Sequence, residues 1–565
     1  MKSRGKQLSI ILIVTFTLIG VSGWVAGWVS AYSPDYYYQV QKNIEVFGRV
    51  YQEISKKYVE EIDPEKFMKA GIKGMLSTLD PYTVLVEKED TQELQIMSSG
   101  KYGGLGMRIG IRGGIPTVVE PPFDGTPAIK AGIREGDEIR LIDGAETEGL
   151  GISKVAALLR GKIGSEVFLE VKRAGEANII QFRLIRAEIV VTDVVYSGLL
   201  KDGVGLIRLS HFSRNAGKDI QHAIRKLKKE GLEALILDLR SNPGGLLDAA
   251  ISVSENFLDK GKLIVSTKGR ANGSVQKYFS EKKPVLEDLP LVVLVNGYSA
   301  SASEIVSGAI QDHDRGIIIG TRTFGKGLVQ TVIPISGEAA LKITTAKYLV
   351  PSGRSIQDPL RFLKDPDGIL YNANDKATAE TKTEEISFQT ENGRTVYAEH
   401  GITPDIVIKP DTLSQYEIEL LRKTMLFQFA VIYAAHHPDL PEGFEVTDEM
   451  IEEFKEFLKE KEFAYKSPAE QALKQIEEIA AKEVYIASIS SSLAEIQEII
   501  ALQKENAFAA SKTFIQEELK QEISAKIWGS KTEFEANFQI DPGVQKSLEL
   551  LQDRAAYDKV LKFKE

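Results

Sequence analysis

The sequence predicts a multidomain α/β chain. Its parallel-sheet core is preceded by a helical segment and a small glycine-rich β domain, and is followed by an all-helical extension. Three observations predict this. Ala234–Leu239, Leu289–Val295 and Gly316–Gly320 are nearly continuous apolar runs, the pattern of parallel strands buried on both faces. Residues 98–190 are dense in glycine and short alternating strands. Residues 411–565 carry helical periodicity throughout. At 565 residues the chain exceeds what one core needs.

In chain order, Lys2, Arg4 and Lys6 precede an uncharged stretch from Gln7 to Pro34. Its apolar part, residues 8–29, has the ~20 residues of a spanning helix. Residues 1–35 therefore predict an N-terminal anchor with its basic end in the cytoplasm. The rival is a signal peptide cleaved after Val29-Ser30-Ala31, but the run is longer than a usual h-region of ~7–15 residues. Either reading exports the rest of the chain, to the periplasm or cell exterior. Residues 36–97 read as helical, with Val46, Val50, Ile54 and Tyr58 at helical spacing, until Asp80-Pro81 breaks the pattern. In residues 98–190, strands are expected at Thr117–Glu120, Glu138–Ile142, Glu166–Lys172 and Ile179–Leu184, with a helix at Ile152–Leu159. Residues 191–410 form the α/β core, with a strand at Val204–Leu209 and a helix at Lys218–Lys229. Residues 358–398 are polar and interrupted, and read as an inserted surface segment. In the extension, Glu417–Tyr433, Asp448–Phe463, Ala469–Glu505 and Lys512–Trp528 look amphipathic, and Pro542-Gly543 sets off a last helix.

Composition excludes several classes. With no cysteine there is no disulfide, zinc ribbon or thiol nucleophile. The formal net charge is −10, and residues 411–565 hold 30 of the acids against 18 of the bases, so the acidity belongs to the extension. No part has the basic surplus of a nucleic-acid binder.

Three segments carry chemistry. Asn296–Ile305 follows a buried strand and opens a helix, so Ser301 stands at the carboxyl edge of the sheet, where α/β folds bind ligands. In isolation, Ser301-x-x-Glu304 reads as a capping box. In Thr323–Gln330, Lys326 lies between glycines. Burial would lower its pKa and leave a neutral amine able to deprotonate a serine. Gln330, at i+4, returns to the same face in a strand and would orient that amine. Alone, Gly-Lys-Gly reads as a solvated turn. Gly320–Lys326 also spells most of a phosphate-binding loop, but Gly327 stands where a magnesium-binding Ser or Thr belongs and a β-like segment follows. Third, Asp238–Gly245 directly follows a strand. Gly244 and Gly245 let the backbone approach a ligand and, with the Ala302 N–H, would form an oxyanion hole.

Together these segments resemble the C-terminal processing peptidases, the tail-specific serine proteases. Ser301 and Lys326 lie 25 positions apart, as that family's nucleophile and base do. Gln330 matches the residue that supports the lysine, and Asp238–Gly245 the oxyanion loop, with Gly244 and Gly245 not distinguished. Leu79–Tyr82, Lys347–Arg354 and Gly401–Asp405 are further family phrases. The resemblance covers about residues 40–410. It implies a crotonase-like α/β protease core and acyl-enzyme chemistry without metal or cofactor. Residues 98–190, with Gly-Leu-Gly before Ala131–Ile139, resemble a bacterial PDZ domain. This implies that Gly103, Gly104, Leu105 and Gly106 cradle the tail of a protein substrate with an apolar last residue. The helical extension lies outside the family pattern; it reads as a bundle serving self-association or adaptor docking.

The rival readings are a Ser-His-Asp protease and a non-catalytic tail-binding scaffold. Of the six histidines, His313 reads as a surface residue near a helix end, His211 is a weak second candidate, and His436-His437 read as a cap. Neither G-D-S-G nor G-x-S-x-G occurs.

Overall fold

A computed structural model describes residues 34–561, apart from 88–95, 97–98, 271–273, 337–338, 359–362, 365–369, 372–385, 399–400, 410–411 and 484–485. The expected anchor at 8–29 lies outside the described residues. Among these, no helix is long and apolar enough to cross a membrane.

The core sheet runs Val194–Leu199, Val204–Leu209, Ala234–Asp238, Leu291–Val295, Ile317–Gly320, Ile406–Val407. The first pair is antiparallel and the others parallel. Its central strands, Ala234–Asp238, Leu291–Val295 and Ile317–Gly320, are almost entirely apolar because both faces are covered. On one side Leu235, Leu237, Val293 and Val295 cluster with Ile220, Ala250 and Ile305 of the helices Ala216–Lys229, Leu247–Ser254 and Ala302–Asp312. On the other, Ile236, Val292, Leu294 and Ile319 cluster with Phe538, Val544, Leu551 and Tyr557. The Tyr557 hydroxyl accepts from the Leu291 N–H at 2.9 Å and reaches the Leu291 carbonyl at 3.0 Å.

The last helices, Pro542–Gln552 and Arg554–Leu561, are thus a layer of the core. A separate bundle forms around Leu420, Phe429, Phe454, Ile515 and Leu519. Two helices expected as single runs are broken. Thr424, left-handed at φ 55°, separates Gln415–Arg422 from Met425–His436, and Ala469–Glu505 divides into Pro468–Lys482 and Ile486–Ala510.

A second, antiparallel sheet stands beside the core, in the order Val84–Glu87, Ala339–Leu349, Leu263–Gly269, Val275–Phe279, with Leu328–Ser336 also paired to Ala339–Leu349. The helices Pro34–Lys57 and Pro64–Leu76 form as expected, but the region is not helical throughout. Val84–Glu87 is a strand, and joining this sheet brings Asp80 and Tyr82 toward the site. Residues 358–398 lie largely outside the described residues. Their end corrects the surface reading: Val396 and Ala398 are buried, and Arg394 bonds Asp314 at 2.6 Å and Asp405 at 2.5 Å.

The PDZ-like unit has strands Ile109–Arg112, Ile115–Val118, Glu138–Ile142, Glu166–Lys172 and Ile180–Ile185 in one sheet, covered by Ile152–Leu159. It meets the helical bundle through Lys526, which is 6% exposed and pairs with Glu135 at 2.9 Å and with Glu522.

Candidate active site

Ser301 sits between the buried strand Leu291–Val295 and the helix Ala302–Asp312, and is 7% exposed. Its φ is 56° and its ψ −108°, a strained conformation for a residue with a Cβ. The capping box expected from Ser301-x-x-Glu304 is present. The Glu304 carboxylate reaches back to the Ser301 N–H at 2.7 Å, and the Glu304 N–H turns back to the serine, bonding its carbonyl at 2.9 Å. The Tyr348 phenol beside the serine is buried. Burial, the largest effect there, pushes the phenol up to about 12. The neighbouring hydroxyls are spent: Ser299 Oγ donates to the Leu239 carbonyl at 2.8 Å and Ser303 Oγ to the Asn242 carbonyl at 2.9 Å. Hydrogen bonding thus singles out Ser301, independently of spacing.

Glu304 is fully buried and does more than cap. Its Oε2 accepts the Ser301 and Lys326 N–H groups at 2.7 and 2.9 Å. Its Oε1 accepts the Gly325 N–H and the Thr323 hydroxyl, each at 2.6 Å. Thr323 Oγ1 already accepts the Ile402 N–H, so its proton points at Glu304. Burial pushes the Glu304 carboxyl up, but every partner donates to it, and only the ionised group accepts four bonds. Its place in the first turn of a helix also favours the anion. The sequence signal was only the Ser-x-x-Glu spacing; the partners at 323–326 come from tertiary structure.

Lys326 is largely buried. Desolvation first, and the Lys342 charge second, lower its ammonium to about 8, while Glu304 and Asp80 oppose the shift. Its Nζ lies 4.5 Å from the Tyr82 ring centroid. Asp80 fixes that ring by accepting the Tyr82 and Thr83 N–H groups at 2.8 Å, an Asx turn that accounts for Leu79–Tyr82. Among the described residues, no hydrogen bond joins Lys326 Nζ to Ser301 Oγ. Nor does Gln330 hold the amine as expected: its Nε2 is buried without a partner. Strand alternation does not relate the two residues, because Lys326 precedes the strand, which starts at Leu328, and the pairing register shifts between Val329 and Gln330.

Asn242 shapes the glycine loop. Its Oδ1 accepts the Gly244 N–H at 2.9 Å, its carbonyl accepts the Ala300 N–H at 3.0 Å, and its Nδ2 donates to the Leu209 carbonyl at 2.7 Å. Gly244 lies against the serine turn; a Cβ there would stand 2.9 Å from Ala302 N and 3.0 Å from Ser301 Cβ. A Cβ on Gly245 would meet the Phe212 carbonyl oxygen at 2.2 Å. Ala302 opens its helix, so its N–H has no intrahelical acceptor.

The PDZ-like unit carries a cleft of about 370 Å³ lined by Gly104, Leu105, Gly106, Met107, Phe123 and Ile152, among others. Among the described residues, the Leu105, Gly106 and Met107 N–H groups make no bond within the protein. Gly103 does not line the cleft: its carbonyl accepts the Gly161 N–H at 3.1 Å, and a Cβ there would meet the Gly161 oxygen at 2.2 Å.

The histidines lie elsewhere. His313 ends the Ala302–Asp312 helix away from Ser301. It is not a surface residue, since its ring is 13% exposed and contacts Glu391 and the Leu263 carbonyl. His211 is half-buried. His436 and His437 contact the carbonyls of Ile432 and Tyr433 at the end of their helix, as caps do.

A strained, buried serine at the edge of an α/β sheet, tied through one carboxylate to a lysine of lowered pKa, defines a candidate serine hydrolase site. Family models agree, matching Peptidase family S41 at residues 203–366 and a PDZ domain at 118–173. Two more match the N-terminal domain of the activating protease CtpB at 31–90 and a PDZ-protease C-terminal helical domain at 416–551. The carboxy-terminal-processing protease of Bartonella bacilliformis is 40% identical over 320 residues, covering 56% of this chain and 73% of that one. The carboxy-terminal processing protease CtpA of Bacillus subtilis is 34% identical over 357 residues, covering 63% and 76%. Among solved structures, a photosystem II D1 C-terminal processing protease aligns at 29% identity over 64% of this chain and 87% of its own, with a TM-score of 0.35. The chain belongs to peptidase family S41, among the PDZ-containing C-terminal processing serine proteases.

Proposed function

We propose that this protein is a membrane-tethered endopeptidase that selects proteins by apolar C-terminal tails and cleaves them through a Ser301–Lys326 acyl-enzyme. The observation that carries the reading is the shared oxygen of Glu304, which holds the Ser301 and Lys326 backbones to one buried point. Ser301 Oγ attacks the substrate carbonyl. Neutral Lys326 takes its proton and passes it to the leaving amine, and water then releases the acyl group. Ala302 and Gly245 stabilise the oxyanion, because the Gly244 N–H is already taken by Asn242. Gln330, whose amide is unpaired at rest, receives the lysine once it leaves Tyr82. The tail adds as a strand beside the PDZ-like cleft, with its carboxylate on the Leu105–Met107 N–H groups. Residues 8–29 hold the enzyme in the inner membrane, with the catalytic part in the periplasm or outside the cell.

The test is incubation of residues 36–565 with proteins differing only in their last residues. Fragments appear with the parent and not with Ser301→Ala or Lys326→Ala, each still folded. Full cleavage by either variant sinks the assignment. A second reading, an enzyme silent until a tail or adaptor binds, is favoured by the unformed Ser301–Lys326 bond. It is supported if cleavage of a tailless substrate begins only when a tail peptide is added.

A further inference from the structure

We infer that Asp541, in the helical extension, is a positioning residue for the oxyanion loop. This rests on the reading of Asp238–Gly245 as that loop.

Arg240 lies near the start of the loop, two residues past the end of its strand at Asp238. Its Nε and Nη2 grip both oxygens of fully buried Asp238, at 2.9 and 2.8 Å. The remaining nitrogen, Nη1, donates to Asp541 Oδ2 at 2.6 Å, a partner 301 positions away. Neither end is a mobile surface charge: the Arg240 side chain is 21% exposed and that of Asp541 13%. Pairs so enclosed keep strength that exposed pairs lose to solvent.

The two oxygens of Asp541 have separate tasks. Oδ1 accepts the Gly543 and Val544 N–H groups at 2.8 and 3.0 Å and caps the helix Pro542–Gln552. Oδ2 faces Arg240. The next contact shows how closely the pieces fit: a Cβ on Gly543 would stand 3.5 Å from both Arg240 Nη1 and Leu294 Cδ2.

Beyond Arg240 the loop has little slack. Ser241 is left-handed at φ 58°, and its N–H is held by Asn296 Oδ1 at 2.9 Å. Asn242 then fixes the glycines and the serine turn together. The direction of Arg240 therefore sets where the chain enters the turn, and Asp541 sets the direction of Arg240. The extension acts on catalysis through this contact, without reaching the substrate.

Asp541→Asn separates the two tasks. Asparagine caps helices as well as aspartate does, so Oδ1 and the helix survive. The new Nδ2 points a donor at a guanidinium that cannot accept. We expect kcat to fall about ten- to a hundredfold, a fraction of losing an oxyanion donor outright. KM should stay at the parent value, and the unfolding midpoint should fall modestly, as loss of a partly enclosed ion pair requires, with the variant fully folded at the assay temperature. Arg240→Gln should lower kcat at least as much, and adding Asp541→Asn to it should cost little more, since both act through one contact. Measurements use residues 36–565 and the burst of a reactive ester, with Ser301→Ala as the control. Parent-level kcat in Asp541→Asn, a kcat loss accounted for by the unfolded fraction at the assay temperature, or fully additive losses would each overturn the inference. Activity surviving in Ser301→Ala would instead overturn the protease reading beneath it.

Discussion

Replacing Lys342 by Met tests the claim that Lys326 works as a neutral amine. Burial and then the Lys342 charge lower Lys326 to about 8. At pH 7, one unit below that, about a tenth of the amine is neutral. Removing a nearby positive charge favours the ammonium, so the pKa rises. Each unit of rise lowers the neutral fraction at pH 7 about tenfold. Well above both pKa values the amine is neutral in either enzyme and the rates converge. Methionine keeps the stem that packs beside the site, so loss of packing is small. The assay is kcat/KM on one tailed substrate from about pH 6 to about pH 10, with the folded fraction checked at each point. The parent's rising limb should centre near 8, and that of Lys342→Met at higher pH. A limb that stays or moves down refutes the like-charge argument. A parent limb near 6.5, the ordinary histidine value, refutes the lysine base itself.

Lys326→Met should abolish turnover yet stabilise the fold. The folded pKa lies below 10.5, so the penalty for burying the charge is fully present below about 8 and gone above 10.5. Urea unfolding at pH 7 should show a gain of up to about 3 kcal/mol that fades toward pH 10; no gain would mean the amine is solvated. Glu304→Gln puts an amide nitrogen against two donors, and should cost about 2–4 kcal/mol and nearly all activity; a stable, active variant would remove the clamp. Lys526→Met removes the buried cation that Glu135 and Glu522 share between the PDZ-like unit and the bundle. It should cost about 3 kcal/mol by denaturant unfolding, and a loss near zero would mean that the two units are not held by this pair.

The strands were legible because burial on both faces leaves a continuous apolar signature, as at Leu235-Ile236-Leu237. The identity of the layer covering each face was not. Val544, Leu548 and Tyr557 show helical spacing whether they pack on their own bundle or, as here, on a sheet over two hundred positions back. The candidate site divides likewise. Ser301 and Lys326 could be found by motif. Tyr82 and Lys342 reach Lys326 only because Val84–Glu87 pairs with Ala339–Leu349, which no local pattern announces. The resting position of Gln330 was not legible for a local reason: period-2 counting holds inside a strand, and Lys326 stands outside it.

The resting contacts of Lys326 suggest how charge and movement are linked. Attraction to an aromatic face acts on the ammonium and vanishes for the neutral amine. The proton loss that makes Lys326 a base therefore also releases it from Tyr82, 4.5 Å away, to turn toward Ser301 and Gln330. If so, the ring opposes deprotonation while Lys342 promotes it, and removing each should move the rate profile in opposite directions. A partly desolvated cation–π contact contributes about 1 kcal/mol, a little under one pH unit. Tyr82→Leu should shift the acid limb down by about that amount, whereas Tyr82→Phe, which keeps the ring face, should leave it in place. An upward shift in Tyr82→Leu, or equal shifts in both variants, would show that the ring only fills space and that another group governs the release of the lysine.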